Sequence, residues 1–187
     1  MVKPYQAFLD KILIPEAELQ ARIRELAAEI NRDYAGEELL VICILRGGVM
    51  FLTDLIRHIN IPLAIEFMAV SSYGAGARAS QGDVRITLDL NTTIFGKHVI
   101  IVEDIIDSGH TLSSVIDLLK TREPASIYIC TLLDKYERRE VDVPIRYCGF
   151  KIQNEFVFGY GLDMDEYYRN LPFVATVDLD KYEPPSG

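Results

Sequence analysis

The sequence predicts a doubly wound α/β fold, a mainly parallel twisted sheet flanked by helices on both faces. Three observations carry that expectation. Short, nearly all-apolar runs stand at 39–45, 63–70, 99–102, 127–133 and 173–177. Strands without polar alternation are strands covered on both faces, as in parallel sheets. Helix-period segments at 49–59 and 112–119 lie between them, and strands alternating with such segments form βαβ units. Finally, Arg46, Gly47, Ser71, Glu103, Asp104 and Lys135 each come at the end of one of these strands. That is the edge at which open α/β sheets bind ligands.

The elements can be justified in order. Leu19, Ile23, Leu26, Ala27, Ile30 and Tyr34 recur at helical spacing, with Pro15 near the start and Gly36 after the end. This predicts one amphipathic helix against a core. The stretch 71–82 is small, polar and glycine-rich, the composition of a mobile loop. Residues 85–90 then alternate and are expected to pair with the preceding strand as a hairpin arm. Residues 143–165 are irregular and aromatic, and predict a small subdomain over the strand ends.

Composition narrows the class. The 187 residues are 49% hydrophobic and 25% charged, as in one globular domain of ordinary size. A net charge of −9 argues against a nucleic-acid partner, which needs a basic footprint. It leaves room for a small anion held by local cations or backbone amides. Cys43, Cys130 and Cys148 are far apart and sit in apolar runs. Buried free thiols are expected, as suits a reducing cytoplasm. Residues 1–6 lack the apolar core of a signal peptide, and no run approaches the roughly 20 residues of a membrane span. Residues 183–187 read as a tail. Gly74-Ala75-Gly76-Ala77-Arg78-Ala79 formally matches a dinucleotide fingerprint, but no helical period follows it and no suitable acid lies about 20 residues on.

The strongest chemistry lies in Val99-Ile100-Ile101-Val102-Glu103-Asp104-Ile105-Ile106-Asp107-Ser108-Gly109-His110-Thr111. A buried strand delivers Glu103 and Asp104 to the sheet edge. Asp107 to Thr111 then turn into a helix whose free N–H groups form an anion site. The same residues would serve as an ordinary N-cap. An N-cap does not explain adjacent acids beside a phosphate cradle. Carboxylates there repel phosphate unless sugar hydroxyls or a divalent cation lie between, so hydroxyl recognition and Mg²⁺ are implied together.

This segment resembles the phosphoribosyl-pyrophosphate (PRPP) motif of type I phosphoribosyltransferases, in the version found in their hypoxanthine/guanine branch. The resemblance runs from the helix near Arg22 to Arg169. It implies that the whole chain, 1–187, is one domain of that fold, with a hood from N-terminal residues and about 143–187. Glu103 and Asp104 would hold the ribose hydroxyls, and Asp107, Ser108, Gly109, His110 and Thr111 the 5′-phosphate. Asp107 would also act as general base at purine N7. His110 stands at a variable position, where its imidazole would either touch phosphate or face solvent.

The same resemblance assigns Arg46 and Gly47, in Leu45-Arg46-Gly47-Gly48, to a pyrophosphate loop often built on a non-proline cis peptide. Arg169 becomes a second pyrophosphate ligand. Asp163 becomes a Mg²⁺ ligand beside the purine, joining Glu103 and Asp104 in the metal set. Lys135 would bind O6 of a 6-oxopurine. Phe156 would stack on the base, and the backbone at Val157 would pair with its edge. Ser72 and Tyr73 would belong to a flexible loop that closes over PRPP and excludes water.

The implied activity is Mg²⁺-dependent transfer of 5-phosphoribosyl to N9 of hypoxanthine or guanine, with xanthine left open, in purine salvage. The products would be IMP or GMP and pyrophosphate, made by a cytoplasmic homodimer or homotetramer. The rival is a regulator that keeps this fold and binds PRPP or nucleotides without catalysis. There is no spare length for an appended DNA-binding domain, and Asp107, Lys135 and Arg169 favour the enzyme.

Overall fold

The computed structural model describes residues 3–72 and 84–184. Its core is a six-stranded sheet in the order β4-β3-β2-β5-β6-β7. These strands are β2 (Leu39–Leu45), β3 (Leu63–Ser72), β4 (Val84–Leu88), β5 (His98–Ile106), β6 (Ser126–Asp134) and β7 (Ile145–Lys151). All neighbours run parallel except β4, which pairs antiparallel with β3. The expected hairpin arm is therefore present.

Strand β2 shows why its run is apolar throughout. Leu39, Val41 and Cys43 pack into one cluster with helices α1 (Glu16–Asp33) and α2 (Val49–Ile56). Leu40, Ile42 and Ile44 pack into another with Leu112, Val115, Ile116 and Leu119 of α3 (His110–Lys120). Successive side chains of a strand point to opposite faces, and here both faces are covered.

A second sheet of three antiparallel strands has the order β1-β9-β8. It joins β1 (Leu9–Ile14), β8 (Val157–Phe158) and β9 (Val174–Val177). Two expectations are corrected here. The run 173–177 is not a strand of the parallel sheet. Val174 packs into the main core while Ala175 and Val177 pack against Phe8, Phe158 and Met164, so β9 is apolar because it lies between two clusters. Residues 145–151 are not part of a hood; they form an edge strand beside β6, with Asp134 opposite Lys151. Their polar and half-exposed positions hid the strand, since Arg146 faces water while Tyr147 is buried. Strand β1 carries Asp10 and Lys11 and was likewise not foreseen.

Candidate active site

The C-terminal ends of β2, β5 and β6 bring together residues that are distant in sequence. Glu103 and Asp104 lie inside β5 rather than past its end. The Asp104 side chain faces the loop after β2, where the Leu45–Arg46 peptide is cis. A Cβ on Gly47 would fall 1.7 Å from Oδ2 of Asp104, and one on Gly161, at φ +98°, would fall 2.1 Å from the Gly47 carbonyl oxygen. The loop is thus clamped between a carboxylate and a second glycine. Only residues without a Cβ permit that approach.

Asp104 is 8% exposed, and its Oδ1 accepts from the Ile105 N–H at 2.9 Å. Glu103 Oε2 is fully buried and has no hydrogen-bond partner. Burial, reinforced by the neighbouring Asp104 charge, holds the Glu103 carboxyl well above the ordinary range. Burial also raises Asp104, partly offset by the Ile105 N–H. An orphaned buried acceptor is costly. It marks a place where a donor or a cation belongs.

Two clefts meet along β5. One, of about 200 Å³, is lined by Glu103, Ile106, Asp107, Ser108, Gly109, Thr111 and apolar neighbours. Gly109, at φ +92°, turns the chain into α3, and a Cβ there would fall 2.6 Å from the Val141 carbonyl oxygen. The turn is held from behind by N–H donations from Glu140 and Val141 to the Ser108 carbonyl oxygen, at 2.9 and 3.1 Å. His110 opens α3, and its Nε2 lies 2.8 Å from the Glu140 carboxylate. The imidazole is thus engaged away from the cleft lining.

The second cleft, of about 220 Å³, is lined by Asp104, Ile105, Asp107, Lys135, Phe156, Val157, Leu162 and Asp163. Lys135 follows β6, and its N–H donates to the Ile106 carbonyl oxygen at 3.0 Å. Phe156 is 53% exposed and offers a flat apolar ring beside the cleft. Asp107 lines both clefts. Its Oδ1 accepts from Nε of Arg138 at 3.0 Å, and its Oδ2 lies 3.9 Å from Lys135.

Arg169 lies 2.8 Å from Asp163 and donates to the Gly161 carbonyl oxygen at 2.8 Å. Arg46 reaches the same region and pairs with Glu166 at 2.8 Å. Arg46, Gly47, Glu103, Asp104, Asp107, Lys135, Phe156, Val157, Asp163 and Arg169 therefore gather at one sheet edge. Ser72 ends β3, whereas Tyr73 and most of the expected loop lie outside the described residues. Arg138, Glu166 and Gly161 were missed. A Gly-x-Gly pair at 159 and 161 could have flagged the last, but nothing in the sequence separates Arg138 or Glu166 from ordinary surface charges.

Residues 14–165 match the phosphoribosyl transferase domain family. The hypoxanthine phosphoribosyltransferase of Haemophilus influenzae is 52% identical over 173 residues, 91% of this chain and 96% of that protein. A hypoxanthine phosphoribosyltransferase structure from Staphylococcus aureus superposes with a TM-score of 0.89 at 44% identity, covering 94% of this chain and 95% of the other. A hypoxanthine-guanine phosphoribosyltransferase from Bacillus anthracis, solved with a HEPES molecule in its active site, gives 0.86 at 46% identity, over 91% and 98%. With the PRPP-type turn, the clamped loop after β2 and these likenesses in hand, the chain belongs to the phosphoribosyl transferase family.

Proposed function

We propose that this protein is a purine-salvage enzyme that transfers 5-phosphoribosyl from PRPP to N9 of hypoxanthine or guanine, giving IMP or GMP and pyrophosphate. One observation carries the reading most: the two clefts join at Asp107. One offers a helix N-terminus for a phosphate, and the other offers a cation and an exposed ring for a planar base.

In this reading the 5′-phosphate accepts from backbone N–H groups at the start of α3 and from the Ser108 and Thr111 hydroxyls. The ribose hydroxyls donate to Glu103 and Asp104, supplying the donor that Glu103 Oε2 lacks. Lys135 donates to O6 of the base, Phe156 stacks on its face, and Val157 offers backbone to its edge. N9 then attacks C1′ as the C1′–O bond breaks, and the electron pair leaves with pyrophosphate. Asp107 receives the N7 proton, which raises the nucleophilicity of the ring. Arg46, Gly47 and Arg169 hold the departing anion, where fixed cations stabilise developing charge.

The donor set fits Mg²⁺ in one particular way. Among the described residues, no group of three or more His, Cys, Asp or Glu side chains is placed to hold a metal ion. Asp163 is already engaged by Arg169 and by the Glu166 N–H. Mg²⁺ commonly takes one or two carboxylates and completes its shell with substrate oxygens and water. Glu103 and Asp104 at one position and Asp163 at another would each hold an ion in that manner, one or two carboxylates at a time, and the ion would neutralise charge on pyrophosphate.

The reading places the enzyme in the cytoplasm, supported by the buried free thiols of Cys43 and Cys130. Self-association as a homodimer or homotetramer is supported by Ile65 and Phe67 on β3 and Leu88 on β4, which remain exposed. Asp107, Lys135 and Arg169 at one edge favour catalysis over a regulator of the same fold. The deciding assay supplies PRPP and Mg²⁺ with a panel of hypoxanthine, guanine, xanthine and adenine, following nucleotide formation. Product with a 6-oxopurine is expected; none with any of them would overturn the reading.

A further inference from the structure

Glu166 lies between the two arginines assigned above to pyrophosphate. Its Oε2 is 2.8 Å from Nη1 of Arg46, and its Oε1 accepts from Nη2 of the same guanidinium at 3.4 Å. That two-pronged arrangement is the one guanidinium groups use on phosphate and carboxylate alike. The same carboxylate lies 3.4 Å from Nη2 of Arg169. One side chain thus bridges cations from two distant parts of the chain.

The backbone keeps Glu166 there, although the ion pairs themselves are loose. Asp165, Glu166 and Tyr168 have φ of +49°, +71° and +68°. Side-chain-bearing residues adopt that left-handed conformation where their surroundings impose it. The Glu166 N–H is anchored on Oδ2 of Asp163 at 2.9 Å. The Arg46 and Glu166 side chains are 70% and 59% exposed, and pairs so exposed are weak. A fixed main chain carrying a weakly held carboxylate is suited to exchange with a stronger anion.

We propose that Glu166 is a built-in counter-anion. It occupies Arg46 and Arg169 in the free protein, yields them to the pyrophosphate group of PRPP, and returns to help expel pyrophosphate after transfer. The inference rests on the phosphoribosyl-transfer reading. Glu166 is a positioning residue in it, since it acts through the two arginines and not on the reacting atoms. Without Glu166, Arg46 would lose its carboxylate and Arg169 would keep only Asp163, so the two would hold the multiply charged product more tightly and delay its release. A competing carboxylate weakens that hold by the same factor on the way in and on the way out.

The test is calorimetric titration of the full chain with magnesium pyrophosphate, comparing wild type with Glu166→Gln and Glu166→Ala. The exposed Arg46 pair and the longer contact to the half-buried Arg169 lose their charge in both variants, so binding should tighten by about 2- to 30-fold. The KM for PRPP should fall in parallel. Thermal unfolding midpoints should stay near that of wild type, because the Glu166 side chain itself is exposed. Weaker pyrophosphate binding would mean that Glu166 braces the arginines instead, and would overturn the inference. Unchanged binding would overturn it as well. The titration needs no turnover, so absent transfer activity in the wild type would refute the functional reading separately.

Discussion

Gly47→Ala is the sharpest single perturbation this site offers. The added Cβ would fall 1.7 Å from Oδ2, 2.4 Å from Cγ and 2.9 Å from Oδ1 of Asp104. Ordinary contact requires ~3.5 Å, so something must move by roughly 1.5 Å or more. Asp104 has little room, being nearly buried inside β5 with its Oδ1 taken by the Ile105 N–H. The loop has little room either, because the Gly161 backbone is packed against the Gly47 carbonyl. Overpacking of this kind costs about 1–3 kcal/mol. For a chain of this size that lowers the melting temperature by about 2–12 °C. The displaced carboxylate is also the one assigned to the ribose, so kcat/KM for PRPP should fall by at least about 10-fold while the helical content is retained. Scanning calorimetry and steady-state kinetics at varied PRPP read the two effects. A variant with wild-type melting temperature and wild-type kcat/KM would refute the reasoning, since it would mean that Asp104 and the loop can separate freely.

Other expectations follow from the same geometry. Asp107→Asn should leave PRPP binding largely intact and cut turnover by about 10²–10⁴, the usual range for a lost general base; near-normal turnover would remove Asp107 from that role. Lys135→Ala should erode the preference for hypoxanthine over adenine by about 10- to 100-fold, as expected when a charged hydrogen bond to O6 is lost. An unchanged preference in competition assays would count against the assignment. Far from the site, burial would raise the Asp33 carboxyl, but hydrogen bonds from Tyr147, Arg146 and Arg32 outweigh it and hold the group below its ordinary 3.8. A depressed carboxylate contributes stability above its unfolded pKa, and that contribution is lost as pH falls through the folded value. Asp33→Asn should therefore cost about 1 kcal/mol near neutral pH and progressively less as pH falls below the ordinary carboxylate value, read from a urea-unfolding series across that range. A cost that does not change with pH would show that the charge is not what matters.

Much of this arrangement was legible in the chain because two different signals agreed. Strands β2 and β5 announce themselves through unbroken apolar runs, which follow from burial on both faces. The turn after β5 carries side chains whose only economical partner is a sugar phosphate. Legibility ended where residues act through pairing alone. Arg138 on Asp107 and Glu166 on Arg46 are single charges in polar stretches, and only three-dimensional adjacency distinguishes them from solvated ones. The three-stranded sheet was partly hidden for a related reason. Strand β8 spans only Val157–Phe158, too short for any period to show, and β9 looks like a core strand because it is wedged between two apolar clusters. Glu103 and Asp104 were expected beyond the strand end and instead belong to the strand itself. Carboxylates are rare inside a sheet for reasons of solvation, and the role proposed for this pair accounts for the exception.

The two joined clefts differ in how they are assembled. The half assigned to the sugar phosphate is drawn mostly from one unbroken stretch of chain, 103–112, set on a central strand and the first turn of its helix. The half assigned to the base shares Asp104, Ile105 and Asp107 with that stretch and adds Lys135 after β6 and Phe156, Val157, Leu162 and Asp163. The first is as stiff as the sheet, and altering it disturbs the core. In the second, Phe156 is exposed, whereas Val157 and Leu162 belong to the main core and Gly161 abuts the Gly47 loop, so only the exposed position can change with little effect on the fold. On the reading proposed above, a protein so partitioned can change which heterocycle it accepts while leaving the sugar chemistry untouched, and the exposed position 156 is where redesign of base preference should begin.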